Sequence, residues 1–302
     1  RDITVHLGRP EETANNVTVS FPDYIKNVVS SEIYPTWPEN AIRANIYVIV
    51  SFALNRIYTE WYRSRGYNFD ITNSTQFDQK YIYGREIFEN VGQLVDELFN
   101  SYVRRQGNVE PLFTAFCNGT TVTCDGLSQW GSQELAEQGY NSIQILRNYY
   151  SDNIELVSNA PVRGIQTSYP GAPLRLGDRG ASVTQMQVML NRISQNYPAI
   201  PRIQPADGYF GPDTERSVVR FQEIFNLTPD GIVGNATWYK MVFLYVGVLN
   251  LAELVSQGQT FYRAEFAYSN ALREGDTGEG VKVLQYMLSV ISEFYNNIPM
   301  VA

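Results

Sequence analysis

LRLGDRGASVTQMQVML, residues 174–190, determines the fold expected for the second half of this chain. A near copy, LREGDTGEGVKVLQYML, stands 98 residues further on at residues 272–288. Each copy joins a Gly-Asp-x-Gly turn to apolar residues at helical spacing, which predicts a turn leading into an amphipathic helix. Agreement at this density identifies an internal repeat.

The first copy continues through two further glycine turns, DGYFG at 207–211 and PDGIVGNATW at 229–238, with a predicted helix at 214–225 between them. These three motifs, in this order, closely resemble the three-helix peptidoglycan-binding modules of many wall hydrolases. The resemblance implies one complete module at 174–245. Its glycines and apolar residues are explained by turns and core, so Tyr209 and Arg220 are the better candidates for glycan contact.

The second copy, 272–302, contains only the opening turn and the first helix. A lone amphipathic helix cannot bury its own apolar face. We therefore expect this helix to pack on a neighbouring surface, which could be the first module, a partner chain or further sequence. The side chains expected to make that contact are Val281, Leu284, Leu288 and Ile291.

Composition excludes several classes of protein. The formal charge of −8 leaves no basic surface for a nucleic-acid partner. The longest apolar runs, 46–54 and 241–249, reach about half of the roughly 20 residues that a membrane helix needs, so no membrane partner is expected. One histidine, His6, is too few for most zinc hydrolases.

The first half reads as a helix-rich α+β domain. Apolar periodicity predicts helices that begin near 21–23 with Asp23 as the cap, at 37–57, 84–105, 132–139 and 142–150. The helix at 37–57 is apolar over a wide arc and should lie centrally. Short strands are expected at 69–71, 80–83 and 112–117. The chain then divides into an extension (1–20), a first domain (21–157), a Pro/Gly/Ser-rich linker (158–173) and a peptidoglycan-binding domain (174–302).

Glu32 is the most informative carboxylate of the first half. It follows an apolar helix end and sits in a turn held by Pro35 and Pro38, beside Tyr34 and Trp37. Such surroundings desolvate a carboxyl group and raise its pKa, as a general acid near neutral pH requires. The aromatic side chains could stack on sugar rings or form core. Cleavage of a glycosidic bond needs only carboxyl groups and a shaped cleft, and therefore fits this composition.

Two stretches resemble the catalytic domain of the stage II sporulation protein D family, which are peptidoglycan lytic transglycosylases. Residues 24–44 contain Glu32, a Trp-Pro pair and an Ala-Ile-Arg-Ala helix; residues 126–150 contain Gly-Leu-Ser-Gln-Trp-Gly and the two predicted helices after it. The resemblance implies that Glu32 is catalytic. It also suggests a set of substrate-binding residues, in which Gln129 could instead pin its loop: Ser128, Gln129, Trp130, Tyr34, Trp37 and Asn45.

The chain also departs from that family. The family commonly has an arginine 18 residues after the catalytic glutamate, where this chain has Val50. A Gly-His-Gly element is replaced around 122–124, so no metal or other cofactor is expected. Cys117 and Cys124 lie across a Gly/Thr-rich loop and could form a disulfide in an exported protein or remain free thiols, both ahead of a metal site.

The order of the two domains resembles that of spore cortex-lytic enzymes. That resemblance implies a secreted, extracytoplasmic protein at the cortex or coat of the spore. Its substrate would be cortex peptidoglycan containing muramic-δ-lactam, and its partner a subtilisin-type germination protease that activates a stored pro-form. Two alternatives remain open: a hydrolytic muramidase or glucosaminidase using Glu32 with Asp70 or Asp125, and a non-catalytic peptidoglycan-binding protein.

Overall fold

The computed structural model describes residues 2–160 and 168–253, together with Arg273, Gly275 and Val281. The described residues contain eight α-helices and three small sheets. In the first half the elements are β1 (Asp2–His6), β2 (Asn16–Ser20), α1 (Phe21–Glu32), α2 (Glu39–Tyr58), a 3-10 turn (Arg63–Arg65), β3 (Ile71–Thr72), α3 (Glu89–Leu98), β4 (Tyr102–Arg105), β5 (Phe116–Cys117), β6 (Leu127–Ser128), α4 (Gln129–Glu137), α5 (Ser142–Tyr150) and β7 (Ile154–Val157).

Helix α2 is the centre of this domain, as its wide apolar arc predicts. Every residue from 41 to 57 except Arg43 is buried. Helices α1, α3, α4 and α5 all pack against it, together with β4. The helix is therefore enclosed on all sides, and the expected helix-rich α+β class is confirmed.

The three sheets lie around the helices. In the first, β1 pairs antiparallel with β2 and parallel with β3. In the second, β4 pairs antiparallel with β7. In the third, β5 pairs parallel with β6, so that Cys117 stands opposite Ser128. This last, two-residue pairing brings the cysteine loop against the start of α4.

The first twenty residues do not form a separate extension. Strand β1 pairs with β3, and its side chains Ile3 and Val5 are fully buried in the core that contains α1 and α2. His6 is 5% exposed and stacks on Phe69. Strand β2 then runs directly into α1, so the N-terminal hairpin is part of the domain.

Some helix boundaries differ from the expected ones, because another side chain caps the helix or because part of the expected helix pairs as a strand. Ser20, not Asp23, caps α1: its hydroxyl accepts a hydrogen bond from the Asp23 N–H at 3.2 Å. The helix expected at 84–105 is confined to Glu89–Leu98, because residues 102–105 pair with β7 instead. Helix α4 begins three residues earlier than expected, and α5 has the predicted bounds.

The expected strand at 80–83 is wrong. Side chains on α1 accept the hydrogen bonds of this segment, since the Ile82 N–H donates to Asn27 and the Lys80 N–H to Glu32. The strands expected at 69–71 and 112–117 are reduced to β3 and β5. These segments have a strand-like composition, but their backbone groups form hydrogen bonds with α1 or within turns and not with a neighbouring strand.

The second half forms the expected three-helix module. Its helices are α6 (Ala181–Asn196), α7 (Pro212–Ile224) and α8 (Asn235–Val248). They enclose a core of their own that includes Phe210, Phe221 and Trp238, each fully buried. Most of the second repeat lies outside the described residues, and with it the packing expected for its apolar face.

Two buried glutamines hold the glycine turns of this module. The amide of Gln187 donates to the Tyr209 carbonyl at 2.9 Å and accepts from the Gly208 N–H at 2.9 Å. In the same way, Gln222 donates to the Ile232 carbonyl and accepts from the Gly231 N–H. Gly208 has φ +75°, a left-handed conformation that favours glycine. Both Asp-Gly turns are thus pinned to the preceding helix.

Candidate active site

Glu32 is the last residue of α1, and two distant segments bind its carboxylate. Oε1 accepts a hydrogen bond from the Lys80 backbone N–H at 2.8 Å. Oε2 accepts one from the Gln129 side-chain amide at 3.3 Å. The structure therefore joins Glu32 to the second stretch that the sequence singled out, although 97 residues separate them.

Burial raises the pKa of the Glu32 carboxyl above its ordinary value. Desolvation is the largest influence, because it disfavours the charged form. The hydrogen bonds from Lys80 and Gln129 and the positive charge of Lys80 act in the opposite direction. The position at the C-terminus of α1 also disfavours a negative charge, since the helix dipole is negative there. The carboxyl therefore binds its proton more tightly than a free glutamate does, which is the direction that a general acid requires.

Three aromatic side chains, Tyr34, Trp37 and Trp130, form a cluster next to Glu32 and Gln129 in sequence. Their ring centroids lie 5.2 to 5.8 Å apart in every pairing. Tyr34 is 57% exposed and Trp130 is 36% exposed, whereas Trp37 is partly buried and packs against the core, so two of the three rings form surface. Exposed aromatic faces of this kind can stack on the apolar faces of sugar rings.

The cysteine loop positions the residues at the start of α4. Cys117 and Cys124 form a disulfide, which answers the question that the sequence left open. The Trp130 N–H donates to the Asn118 carbonyl of this loop at 3.2 Å. Gly119 has φ +82°, and a Cβ atom there would lie 1.8 Å from the Ser128 hydroxyl oxygen, so only glycine fits. The closed loop thus packs directly on Ser128.

Ser128 and Gln129 occupy the cap and the first turn of α4. The Ser128 hydroxyl accepts from the Gly131 N–H at 2.9 Å and so caps the helix. Gln129 is only 4% exposed and directs its amide at Glu32. Gln129 was considered either as a substrate contact or as a residue that holds its loop in place. The hydrogen bond to Glu32 corresponds to the second role.

Asn45 lies below the surface and not in a cleft. It is 1% exposed, and its amide donates to the Ser132 hydroxyl at 2.8 Å. Ser132 in turn donates to the Gln129 carbonyl at 2.6 Å. Direct substrate contact by Asn45 is therefore inconsistent with its burial, and the residue supports Gln129 through Ser132. Val50 is fully buried, so the position of the family arginine belongs to the core.

Lys80 and Ser132 are the contributors that sequence reasoning missed. Lys80 supplies both a backbone donor and a nearby positive charge to Glu32 from a loop 48 residues away. Ser132 links Asn45 to Gln129, because its hydroxyl accepts a hydrogen bond from Asn45 and donates one to the Gln129 carbonyl. Neither lies in a recognisable motif, and only the folded backbone places them at the site.

The candidate glycan contacts of the module are both surface groups. Arg220 forms an ion pair with Glu223 at 2.8 Å and its side chain is about half exposed. Tyr209 is half-buried, and the Arg179 guanidinium lies 4.0 Å from its ring centroid. The structure does not bring either residue into the neighbourhood described for Glu32.

Two further properties concern the described residues as a whole. No His, Cys, Asp and Glu side chains within residues 2–160 and 168–253 form a group of three or more that could hold a metal ion. In the same part of the chain, no helix is long and apolar enough to cross a membrane.

Comparison with known proteins gives two family matches. Residues 11–99 match the stage II sporulation protein family, and residues 179–241 match the peptidoglycan binding domain family. A segment similar to the stage II sporulation protein family therefore precedes a segment similar to the peptidoglycan binding domain family. This order matches the architecture of SleC-like spore cortex-lytic enzymes, which the sequence resembles.

Two curated relatives are similar over shorter stretches. An uncharacterized protein in the bpoA1 3' region of Kitasatospora aureofaciens is 40% identical over 79 residues, which are 26% of this chain and 60% of that protein. A zinc D-Ala-D-Ala carboxypeptidase of Streptomyces albus G is 38% identical over 65 residues, 22% of this chain and 24% of that enzyme. The chain thus spans less than two thirds of either relative.

Proposed function

We propose that this protein is a peptidoglycan lytic transglycosylase that degrades spore cortex glycan during germination, with Glu32 as its acid and base. The proposal rests on the surroundings of the Glu32 carboxyl. Burial raises its pKa, Lys80 and Gln129 donate hydrogen bonds to it, and exposed aromatic rings follow it and Gln129 in the sequence. The peptidoglycan-binding domain supports the choice of substrate. Ser128, Gln129, Trp130, Tyr34 and Trp37 are the proposed substrate-side residues.

The proposed reaction uses one carboxyl group twice. Glu32, protonated, donates its proton to the oxygen that links N-acetylmuramic acid to N-acetylglucosamine, and the bond from C1 to that oxygen breaks. Positive charge develops at C1 as the bond lengthens. The Glu32 carboxylate then accepts the proton of the muramyl C6 hydroxyl, whose oxygen bonds to C1. The products are a free N-acetylglucosamine end and a 1,6-anhydro-muramyl end.

The proposed reaction differs from hydrolysis in the number of carboxyl groups that it needs. Most glycosidases that use water place a second carboxylate about 5 to 9.5 Å from the first. Asp70, one of the partners considered for hydrolysis, forms an ion pair with Arg63 at 2.8 Å beside β3. An intramolecular hydroxyl nucleophile removes the need for a second acid.

Regulation and location belong to the same proposal. A glycan-cleaving enzyme stored in a spore must remain inactive until germination, and proteolytic release of a pro-form by a subtilisin-type protease meets that need. The proposed place of action is the cortex, outside the spore core, where muramic-δ-lactam marks the substrate. The sporulation and wall-binding matches support this place.

Glu32→Gln tests the mechanism, because an amide cannot donate or accept the transferred proton. We expect loss of cortex lysis by about a hundredfold or more with unchanged binding to isolated wall. The matched control is Glu86→Gln, an exposed carboxylate on the loop before α3, which should retain lysis. Retention of lysis by Glu32→Gln would remove Glu32 from the mechanism.

The ends of the released fragments separate the two reaction types. Mass spectrometry of cortex digested by the parent protein should show 1,6-anhydro-muramyl ends that borohydride does not reduce. Reducible muramic acid or glucosamine ends would instead establish a hydrolase acting on the same glycan. No released fragments from a folded protein that binds wall would favour the non-catalytic alternative.

A further inference from the structure

A groove of about 390 Å³ lies between the start of α2 and helix α3. This volume is within the range of small-molecule sites in proteins. Trp37 forms one wall, Ile42 and Leu94 provide apolar contact, and polar side chains complete the lining, including Arg43, Gln93 and Glu97. We call this feature the α2–α3 groove.

The α2–α3 groove is continuous with the aromatic cluster. Trp37 belongs to both, since its ring lies 5.2 Å from Trp130 and also lines the groove. Asn90, another lining residue, donates from its amide to the Pro35 carbonyl at 2.8 Å. The turn that presents Tyr34 and Trp37 is therefore attached to α3. A chain-like ligand that crosses the aromatic cluster can continue into this groove.

The charged side chains of the groove are paired and held in place. Arg43 donates two hydrogen bonds to the Glu97 carboxylate, both at 2.8 Å, and a third to Glu39 at 2.7 Å. The bidentate geometry orients all three groups before a ligand arrives. Two carboxylates and one guanidinium leave a net negative charge, which the Arg43 hydrogen bonds maintain by lowering the pKa of Glu97. An anionic ligand is thereby disfavoured.

Gln93 offers both a donor and an acceptor to a ligand. Its side chain is exposed, and no hydrogen bond joins it to another of the described residues. An amide near an aromatic wall suits an N-acetylated sugar, whose acetamido group needs one donor and one acceptor and whose ring has an apolar face. Paired charges beside it can bind neutral hydroxyl groups.

We infer that the α2–α3 groove is a subsite for a neutral N-acetylglucosamine unit of the glycan strand. This inference rests on the proposed function, because it extends the path of the glycan away from Glu32. The sugar ring stacks on Trp37, its acetamido group bonds to Gln93, and its hydroxyl groups meet the Arg43 and Glu97 pair. The negative charge of the groove thus disfavours a sugar that carries a free carboxylate.

Binding of a tetramer of N-acetylglucosamine tests the inference directly. Calorimetric titrations use the full chain carrying Glu32→Gln, so that the ligand is not cleaved. Adding Gln93→Ala should raise the dissociation constant about fivefold, which is the effect of one lost hydrogen bond. The matched control, Gln138→Ala, changes an exposed glutamine at the end of α4 and should bind as its parent does.

A hyaluronan tetrasaccharide, which alternates the same sugar with glucuronate, tests the charge argument. We expect it to bind more weakly than the neutral tetramer. Equal affinity of Gln93→Ala and its parent, absence of tetramer binding, or preference for hyaluronan would each overturn the subsite. Because these titrations do not measure lysis, failure of the subsite is distinguishable from failure of Glu32→Gln to abolish lysis.

Discussion

At the scale of single residues, Glu32 combines four influences on one carboxyl group. Burial and the end of α1 favour its neutral form, while the Lys80 N–H and the Gln129 amide bind its charged form. Burial is the largest of these, so the folded protein binds the proton more tightly than the unfolded chain does. The same feature that supplies an acid therefore also affects stability.

The raised pKa predicts how the stability difference between Glu32→Gln and the parent changes with pH. In the parent, Glu32 contributes stability fully below its unfolded pKa of about 4.3, and this contribution is lost as pH rises through the raised folded pKa. Glutamine is neutral throughout. We therefore expect Glu32→Gln to gain stability relative to the parent as pH rises from 4 to 7, measured as the difference in Tm.

Glu86→Gln is again the control for this measurement. Its carboxyl is exposed, and the change in Tm of this variant with pH is the baseline against which that of Glu32→Gln is compared. A Glu32→Gln protein whose advantage shrinks with rising pH would show that folding lowers the pKa of Glu32. The general acid would then need another explanation.

At the scale of elements, the short pairing of β5 with β6 determines where α4 begins. The disulfide closes the loop between these strands, and that loop contacts both Ser128 and the Trp130 N–H. Five of the proposed site residues depend on the position of this turn and of the turn after α1. The site is thus built at two element ends that tertiary contacts hold together.

Loss of the disulfide should weaken both the fold and the site. The cross-link closes a loop with a sequence separation of 7, for which the chain-entropy relation gives about 2.5 kcal/mol of unfolding free energy. We expect the double variant Cys117→Ser and Cys124→Ser to lose about this amount in urea titrations. Because the loop supports Trp130, tryptophan fluorescence of the folded variant should also shift.

The matched comparison is the parent protein after reduction, which should resemble the double serine variant in both measurements. Unchanged unfolding free energy in the double variant would show that the cross-link does not constrain the unfolded chain. An unchanged fluorescence spectrum would instead separate the loop from the position of Trp130.

Periodicity predicts elements well where one helix face or the whole helix is buried. It finds α2, α5 and α6 because their apolar residues repeat over several turns. It extends α3 too far because the same apolar spacing continues into residues 102–105. That segment forms β4 because it pairs with Ile154–Val157, which lies far along the chain. A pairing between residues about 50 positions apart leaves no local signal.

At the scale of the whole molecule, the two cores meet through a few specific hydrogen bonds. The Asn55 amide donates to the Leu251 carbonyl at 2.7 Å. Ser168 connects the domains as well: its hydroxyl and N–H donate to the buried Glu60 carboxylate, and it accepts from the Trp238 indole N–H at 2.8 Å. The peptidoglycan-binding module is therefore joined to the Glu32 domain by contacts and not only by a linker.

A double-mutant cycle measures this connection. Glu60→Gln and Trp238→Phe each change one side of Ser168, so their effects on the unfolding free energy should deviate from additivity by about 1 kcal/mol. The control pair, Glu60→Gln with the exposed Arg220→Ala, shares no partner and should be additive. Additive effects in both cycles would show that Ser168 does not couple the domains.

Local sequence was sufficient to predict the class of fold, the three-helix module and the central α2. These features reside in periodicity, in turn motifs and in short runs of neighbouring residues. The folded chain was needed to learn that Glu32 meets Gln129 and Lys80, that Asn45 lies below the site, and that the N-terminal hairpin belongs to the core. The physical reason is that burial and long-range hydrogen bonding depend on contacts between distant segments, which no local pattern encodes.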